Sequence, residues 1–244
     1  MIEIRPLTER EDLKTVVRLQ RQIWGFEDVD LIPLRLFVVA TKIGGQVFGA
    51  FDGREMVGFC MAIPGLKPGG KTYLHSHMLG VLPDYRNSGV GRMLKLTQRD
   101  DALRRGIQLI EWTFDPLEIK NAFFNMERLG AIVRRYVPNQ YGTTSSPLHG
   151  GLPTDRCIAE WWIASPRVKT IIDGQPFERA KVEMRVAIPV DIAEIRANDR
   201  ARAAEIQKAV SDQFRAAFDR GLAVIGFEKS EEAGTYLFGV WESV

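Results

Sequence analysis

The 244-residue sequence is poor in cysteine and histidine, nearly balanced in charge, and free of long apolar runs. Two cysteines, Cys60 and Cys157, build neither a disulfide framework nor, by themselves, a zinc site. Lys and Arg number 33 against 31 Asp and Glu, a net charge of +2, so no basic surplus is available to neutralise nucleic-acid phosphates. The balance is not an average of two opposed halves, because residues 166–244 carry 12 basic and 13 acidic groups. No stretch approaches the roughly 18 apolar residues of a membrane span. Charged Glu9, Arg10, Glu11 and Asp12 follow Pro6 too closely for a signal peptide. The expectation is a cytoplasmic protein with reduced thiols, no metal, and neither nucleic acid nor membrane as partner.

What is present is ordinary globular composition, 45% hydrophobic and 26% charged, in a length that suits one large domain or two small ones. Alternating Ile2 and Ile4 predict a first strand. Thr8 with Glu11 predicts a capping box for a helix that carries Leu13, Val16 and Val17 and stops at Gly25. After an apolar segment interrupted by Pro33, runs 46–51 and 56–63 flank Asp52-Gly53, a strong hairpin signal. Thr72–Val81 reads as a strand, 92–105 as a helix, 107–114 as a strand, 117–129 as a helix, and 131–137 as extended chain. Residues 138–155 are a Gly-, Pro-, Ser- and Thr-rich loop. A strand over 157–163, a connector over 165–175, a strand over 182–190, a helix over 199–220 and a final hairpin complete the chain. That helix should bury Ile206, Val210, Phe214 and Phe218.

The most informative segment runs from Val81 to Gly91, where an apolar strand enters a Gly-containing turn that opens a helix. Such a turn presents several backbone N–H groups and the positive end of the helix dipole to an anion. The plainer reading is a tight turn with no ligand. The pattern is neither GxxxxGK[ST] nor GxGxxG, which disfavours nucleotide and dinucleotide sites. Upstream, His75 and His77 stand on the strand that leads into the turn. At period two they share one face with Leu79 and Val81. Imidazole titrates near neutrality, which suits a base or a proton relay, although both could equally be packed structural histidines. His149 lies in the loop and is given no role.

The order of elements, with Arg86-x-x-Gly89-x-Gly91 after a strand ending Val81-x-Pro83, resembles the acyl-CoA motif of the GNAT N-acetyltransferase superfamily. Asn121-Ala122 on a helix ending Leu129-Gly130 is similar to that family's downstream signature, and the resemblance covers residues 2–140. It implies an α/β (α+β) fold: a mixed, mostly antiparallel sheet flanked by helices. Residues 1–165 would be the acyl-CoA-binding domain, and residues 166–244 a β-α-β-β extension that forms a small lobe or a homodimer interface. By the same resemblance, main-chain N–H groups of Arg86, Asn87, Ser88, Gly89, Val90 and Gly91 would hold the CoA pyrophosphate. The edge of Leu79, Gly80 and Val81 would pair with pantetheine, and Asn121 would touch the cofactor near its phosphate end.

The His-x-His spacing is similar to that of arylalkylamine N-acetyltransferases, which relay protons through such a pair. His75 is the better terminal base on that analogy, since other members carry glutamate at its offset. The family's usual general acid, a tyrosine, is replaced here by Met126. Tyr136 and Tyr141 are the nearest substitutes by sequence, though each is more often a packing residue. Glu111 and Asp115 could orient a cationic acceptor, and Glu111 could act as a base; single carboxylates at strand ends are more commonly solvated. Arg128, Arg134 and Arg135 suit a carboxylate clamp or a solvated face, and Asp155-Arg156 an acceptor wall or a surface pair. Trp161-Trp162 reads as core or interface. The resulting expectation is acyl transfer from acetyl-CoA, or another acyl-CoA, to the amine of a small acceptor. The alternatives are a GNAT-like regulatory or assembly module that binds CoA without catalysis, and a structural protein with no cofactor.

Overall fold

The computed structural model describes residues 1–142 and 151–241, and His149 and part of the predicted 138–155 loop lie outside them. The chain packs as two compact units, Met1–Glu111 and Trp112–Val244. The fold is mixed α/β, mostly antiparallel sheet with flanking helices. In the first unit, strands β1 (Ile2–Pro6), β2 (Gln46–Asp52), β3 (Glu55–Leu66) and β4 (Thr72–Val81) form an antiparallel run in that order. The β2–β3 hairpin closes with Asp52 opposite Glu55, as the Asp-Gly signal predicts. Strand β5 (Leu109–Phe114) joins β4 in parallel through Leu74↔Ile110 and His75↔Glu111.

Helices α1 (Arg10–Trp24) and α2 (Leu34–Lys42) cover one face of the first unit's sheet. Leu13, Val16, Leu19, Phe37 and Ala40 pack there with Val47, Phe51, Met56, Phe59 and Met61. Helix α3 (Val90–Arg104) covers the other face, placing Val90 and Leu94 against Phe48, Ala50, Val57 and Cys60. Two expectations are corrected. Glu9, not Thr8, is the α1 N-cap, and no side-chain capping bond forms, because Thr8 Oγ1 turns to Glu9 Oε1 at 3.5 Å. Pro33 does not interrupt structure but starts α2 as its N-cap, where the missing N–H costs nothing.

The second unit holds the short helix α4 (Ile119–Phe123), continued by a π-helical turn (Phe124–Arg128), and strands β6 (Ile132–Val137) and β7 (Arg156–Trp162). Helix α5 (Pro166–Ile172) follows where a connector is expected, capped by Ser165, whose Oγ accepts from Val168 N. Then come β8 (Met184–Pro189), α6 (Ile192–Asn198), α7 (Arg200–Asp219), β9 (Leu222–Lys229) and β10 (Ala233–Val240). The strands pair in the order β7-β6-β9-β10-β8, all antiparallel. The buried stripe of α7 is Ala203, Gln207, Val210, Phe214 and Ala217, rotated from the predicted one so that Ile206 and Phe218 flank it. Phe214 meets Tyr136, Phe218, Tyr236 and Phe238 with ring centroids 4.9–5.9 Å apart, an edge-on aromatic core.

Candidate functional site

Strand β4 carries the two histidines and is not regular. Met61 and Ala62 of β3 pair with Met78 and Ser76, so His77 is an extra, bulged residue. A bulge resets the alternation of faces. Beyond it Leu79 and Val81 oppose Cys60 and Gly58 and pack toward α3 with Leu94. His75 opposes Ile63, whose side chain belongs to the α1–α2 face. The expectation that His75 shares a face with Leu79 and Val81 is therefore corrected: one inserted residue moves it to the opposite side. The two imidazoles remain close, with ring centroids 5.7 Å apart and planes tilted by 45°. Parallel pairing with β5 comprises residues 74 and 75, so beyond His75 that edge of β4 is open among the described residues.

His75 is half-buried and His77 exposed. Burial lowers the His75 pKa to about 4, helped by His77, Lys95 and Lys67. Desolvation also lowers that of His77, whose ring is flanked by protein although part of it reaches solvent. Both rings are neutral at pH 7, the form that can accept a proton.

Beneath the bulge lies a buried polar layer that periodicity did not reveal. Lys95 of α3 is 3% exposed and donates to Ser76 Oγ at 2.7 Å. Ser76 Oγ donates to Gln98 Oε1 at 2.9 Å, and Gln46 Nε2 donates to Gln98 O and Asp101 Oδ2. These bonds tie α3 to the residue between the two histidines. Burial lowers the Lys95 pKa from 10.5 to about 7 and pushes the neighbouring Cys60 thiol up to about 12, so no thiolate balances the ammonium. Between those Lys95 values the unfolded chain holds a proton that the folded chain has lost, so stability rises with pH there. Lys95→Met is expected to flatten this rise, measured as Tm from about pH 7 to about pH 10; an unchanged pH slope contradicts the assignment.

After β4, a 3-10 turn (Pro83–Tyr85) leads to Arg86, Asn87, Ser88 and Gly89. Asn87 and Gly89 adopt left-handed backbone, with φ of 61° and 91°. Met93 N is the first α3 amide to bond back, to Gly89 O at 3.0 Å, so Val90 and Gly91 keep N–H groups with no intrahelical partner. A Cβ at Gly89 would meet nothing within 4 Å, and one at Gly91 only Leu79 Cδ2 at 3.6 Å. The turn is thus an open cradle of amides, which fits a pyrophosphate. Arg86 is tied back to Val81 O and Ile23 O, and Ser88 Oγ donates to Tyr85 O. Gly80 has a different duty from close ligand approach, since a Cβ there would strike Trp24 at 2.7 Å.

Glu111 is 4% exposed and accepts from Lys67 Nζ with both oxygens, at 2.8 and 2.7 Å. It is an ion pair opposite His75, not a bare carboxylate, and Lys67 is the partner missed in sequence because it lies 44 residues away. In the second unit, Tyr141 is 46% exposed, with its hydroxyl 3.0 Å from Thr113 Oγ1 and its ring under the Arg156 guanidinium. Tyr136 is less available: its hydroxyl donates to Asp155 Oδ2 at 2.6 Å, and burial, then Asp155, pushes its pKa up. Met126 is fully buried in the π-helical turn and Asn121 is exposed on α4. Asp115 is committed to Arg196, while Arg134 and Arg135 both pair with buried Glu160. Trp161 is core, donating to Leu129 O at 2.6 Å. Among the described residues no helix is long and apolar enough to cross a membrane.

Residues 13–130 match the model of the acetyltransferase (GNAT) family. The solved structures similar in fold include the ribosomal-protein-S18-alanine N-acetyltransferase of Escherichia coli, at 21% identity and TM-score 0.53, covering 68% of this chain and 96% of that one. NAA60 of Arabidopsis thaliana in complex with acetyl-CoA is 16% identical at TM-score 0.54, covering 66% and 99%. Aminoglycoside 6'-acetyltransferase type Ii is 22% identical at TM-score 0.52, covering 67% and 98%. Among curated proteins, none matches the chain.

Proposed function

We propose that the protein transfers an acetyl or other acyl group from acyl-CoA to the amine of a small acceptor. The observation that carries this reading is the bulged histidine pair on β4, leading to the amide cradle at the start of α3. The backbone from Arg86 to Gly91 grips the pyrophosphate, and the open edge at Leu79, Gly80 and Val81 pairs with pantetheine. Because the chain has no basic surplus, this grip relies on amides at one helix start rather than on a basic surface. Residues 1–165 carry the acyl-CoA site in this reading, and 166–244 serve as the added lobe.

In the transfer step, the amine nitrogen forms a bond to the thioester carbonyl carbon, the C–S bond breaks, and CoA thiolate departs. His77, exposed beside the open strand edge, takes the ammonium proton, and half-buried His75 passes it on as a neutral relay. This reverses the order drawn from the glutamate analogy, because the more deeply desolvated His75 is the weaker base. The Lys67–Glu111 pair orients the acceptor beside the relay. The second proton that leaves the nitrogen after attack goes to the departing thiolate, which completes CoA thiol.

The test is mass spectrometry of an amine panel incubated with acetyl-CoA and protein. Acetylated amine that depends on protein supports the reading, and none despite measurable acetyl-CoA binding overturns it. That second outcome would favour a CoA-binding module without catalysis. Met126 motivates this alternative, since its buried thioether cannot donate a proton where the family has its acid.

A further inference from the structure

We propose that a second pocket, bounded by Glu127, Arg128, Arg167, Gly174, Phe177 and Arg179, binds a small oxyanion, the phosphate or carboxylate group of a metabolite. The pocket lies wholly within the second unit and has a volume of about 240 Å³, room for such a group. Three guanidinium groups line it against one carboxylate, and that carboxylate is already committed. Glu127 Oε2 accepts from Arg179 Nη2, and Glu127 Oε1 accepts from Phe227 N at 2.8 Å.

Arg167 is the decisive residue. It is 5% exposed, and its Nε and Nη2 donate to the carbonyls of Gly130 and Ile225 at 3.0 and 2.8 Å. Its plane is flanked by the rings of Phe177 and Trp241, at 4.9 and 6.0 Å. Neutral carbonyls spread its charge but do not cancel it, and among the described residues it forms no ion pair with a carboxylate. The carboxylate that attracts Arg167, Glu127, is shared with Arg179 and the Phe227 N–H, which leaves the buried guanidinium under-compensated, so a fold that keeps it beside a cavity is arranged for an anion from outside. Burial lowers even this guanidinium's pKa to about 10, which shows how strongly the site is desolvated. Arg128, exposed over the Phe123 ring, adds positive potential to the pocket wall. The planar fork of arginine matches the paired oxygens of carboxylate and phosphate. Oxyanion binding in this pocket is independent of acyl transfer.

The experiment is a thermal-shift titration with inorganic phosphate and, separately, succinate, at ionic strength held constant with sodium chloride. It compares wild type, Arg128→Ala, Arg167→Met and Gly91→Leu. The expected result is a saturable rise in Tm in wild type. It should persist in Gly91→Leu, need at least fivefold more anion in Arg128→Ala, and vanish in Arg167→Met. The anion with the lower midpoint identifies the class. Arg167 also tethers two carbonyls, so should its variant fail to fold, Arg128→Ala decides, because that exposed side chain does not support the core. Absence of a saturable rise with either anion, a midpoint unchanged in Arg128→Ala, or loss in Gly91→Leu alone would overturn the proposal.

Discussion

His77→Ala is expected to lower kcat for an amine acceptor by about 10²- to 10⁴-fold, the range contributed by a positioned general base, with acetyl-CoA affinity unchanged. The bulge at residue 77 takes this imidazole out of the β3 ladder, and its ring stays exposed while its neighbour is half-buried. His75→Ala is expected to cost less, because a relay can be bridged by water while the terminal base cannot. The pH dependence carries a sign. The competent imidazole is neutral, and desolvation lowers its pKa below 6.5, so kcat at saturating acceptor should hold down past pH 6.5 before it falls. An acid limb above that value, or an unaffected His77→Ala enzyme, places the base elsewhere.

Gly91→Leu is expected to weaken acetyl-CoA binding by about 100-fold, some 2.7 kcal/mol, with little change in Tm. Position 91 lies in the first turn of α3, where leucine is a good helix former, and a Cβ there makes only an ordinary 3.6 Å contact with Leu79. The fold therefore tolerates the substitution. The added bulk stands beside Leu79 at the start of α3, where the cofactor is proposed to lie. Gly89→Ala is the informative contrast. Its φ of 91° makes any side chain strained, by about 1–2 kcal/mol, so stability should fall there although the Cβ has open space. Isothermal titration with acetyl-CoA, alongside melting curves, separates the two effects. Wild-type affinity in Gly91→Leu would mean that the helix start does not hold the cofactor.

Local signals in the sequence were legible where chemistry is local. Asp52-Gly53 closes the β2–β3 hairpin, and the Gly-containing turn opens α3. What stayed hidden depended on partners far away in the chain. Alternation predicts a face only if the ladder is regular, and the bulge at His77 is set by how β3 pairs, which residues 72–81 do not encode alone. Lys95 looks like a solvated helix residue until Ser76, 19 positions earlier, supplies its acceptor. Glu111 looks like a lone carboxylate until Lys67 reaches it. Short helices were missed for a related reason. Helix α2 begins at a proline that reads as a break, and α5 spans only seven residues, too few to display a periodic stripe.

The central claim is that the histidine pair on β4 serves acyl transfer, and it is tested most directly by thiol release from acetyl-CoA. Wild type and the His75→Ala/His77→Ala double variant would be run side by side over a panel of amines. The account predicts amine-dependent release by wild type and loss of that release in the double variant, while both bind acetyl-CoA equally. Equal amine-dependent release by the two proteins, or none from wild type that demonstrably binds acetyl-CoA, would contradict it.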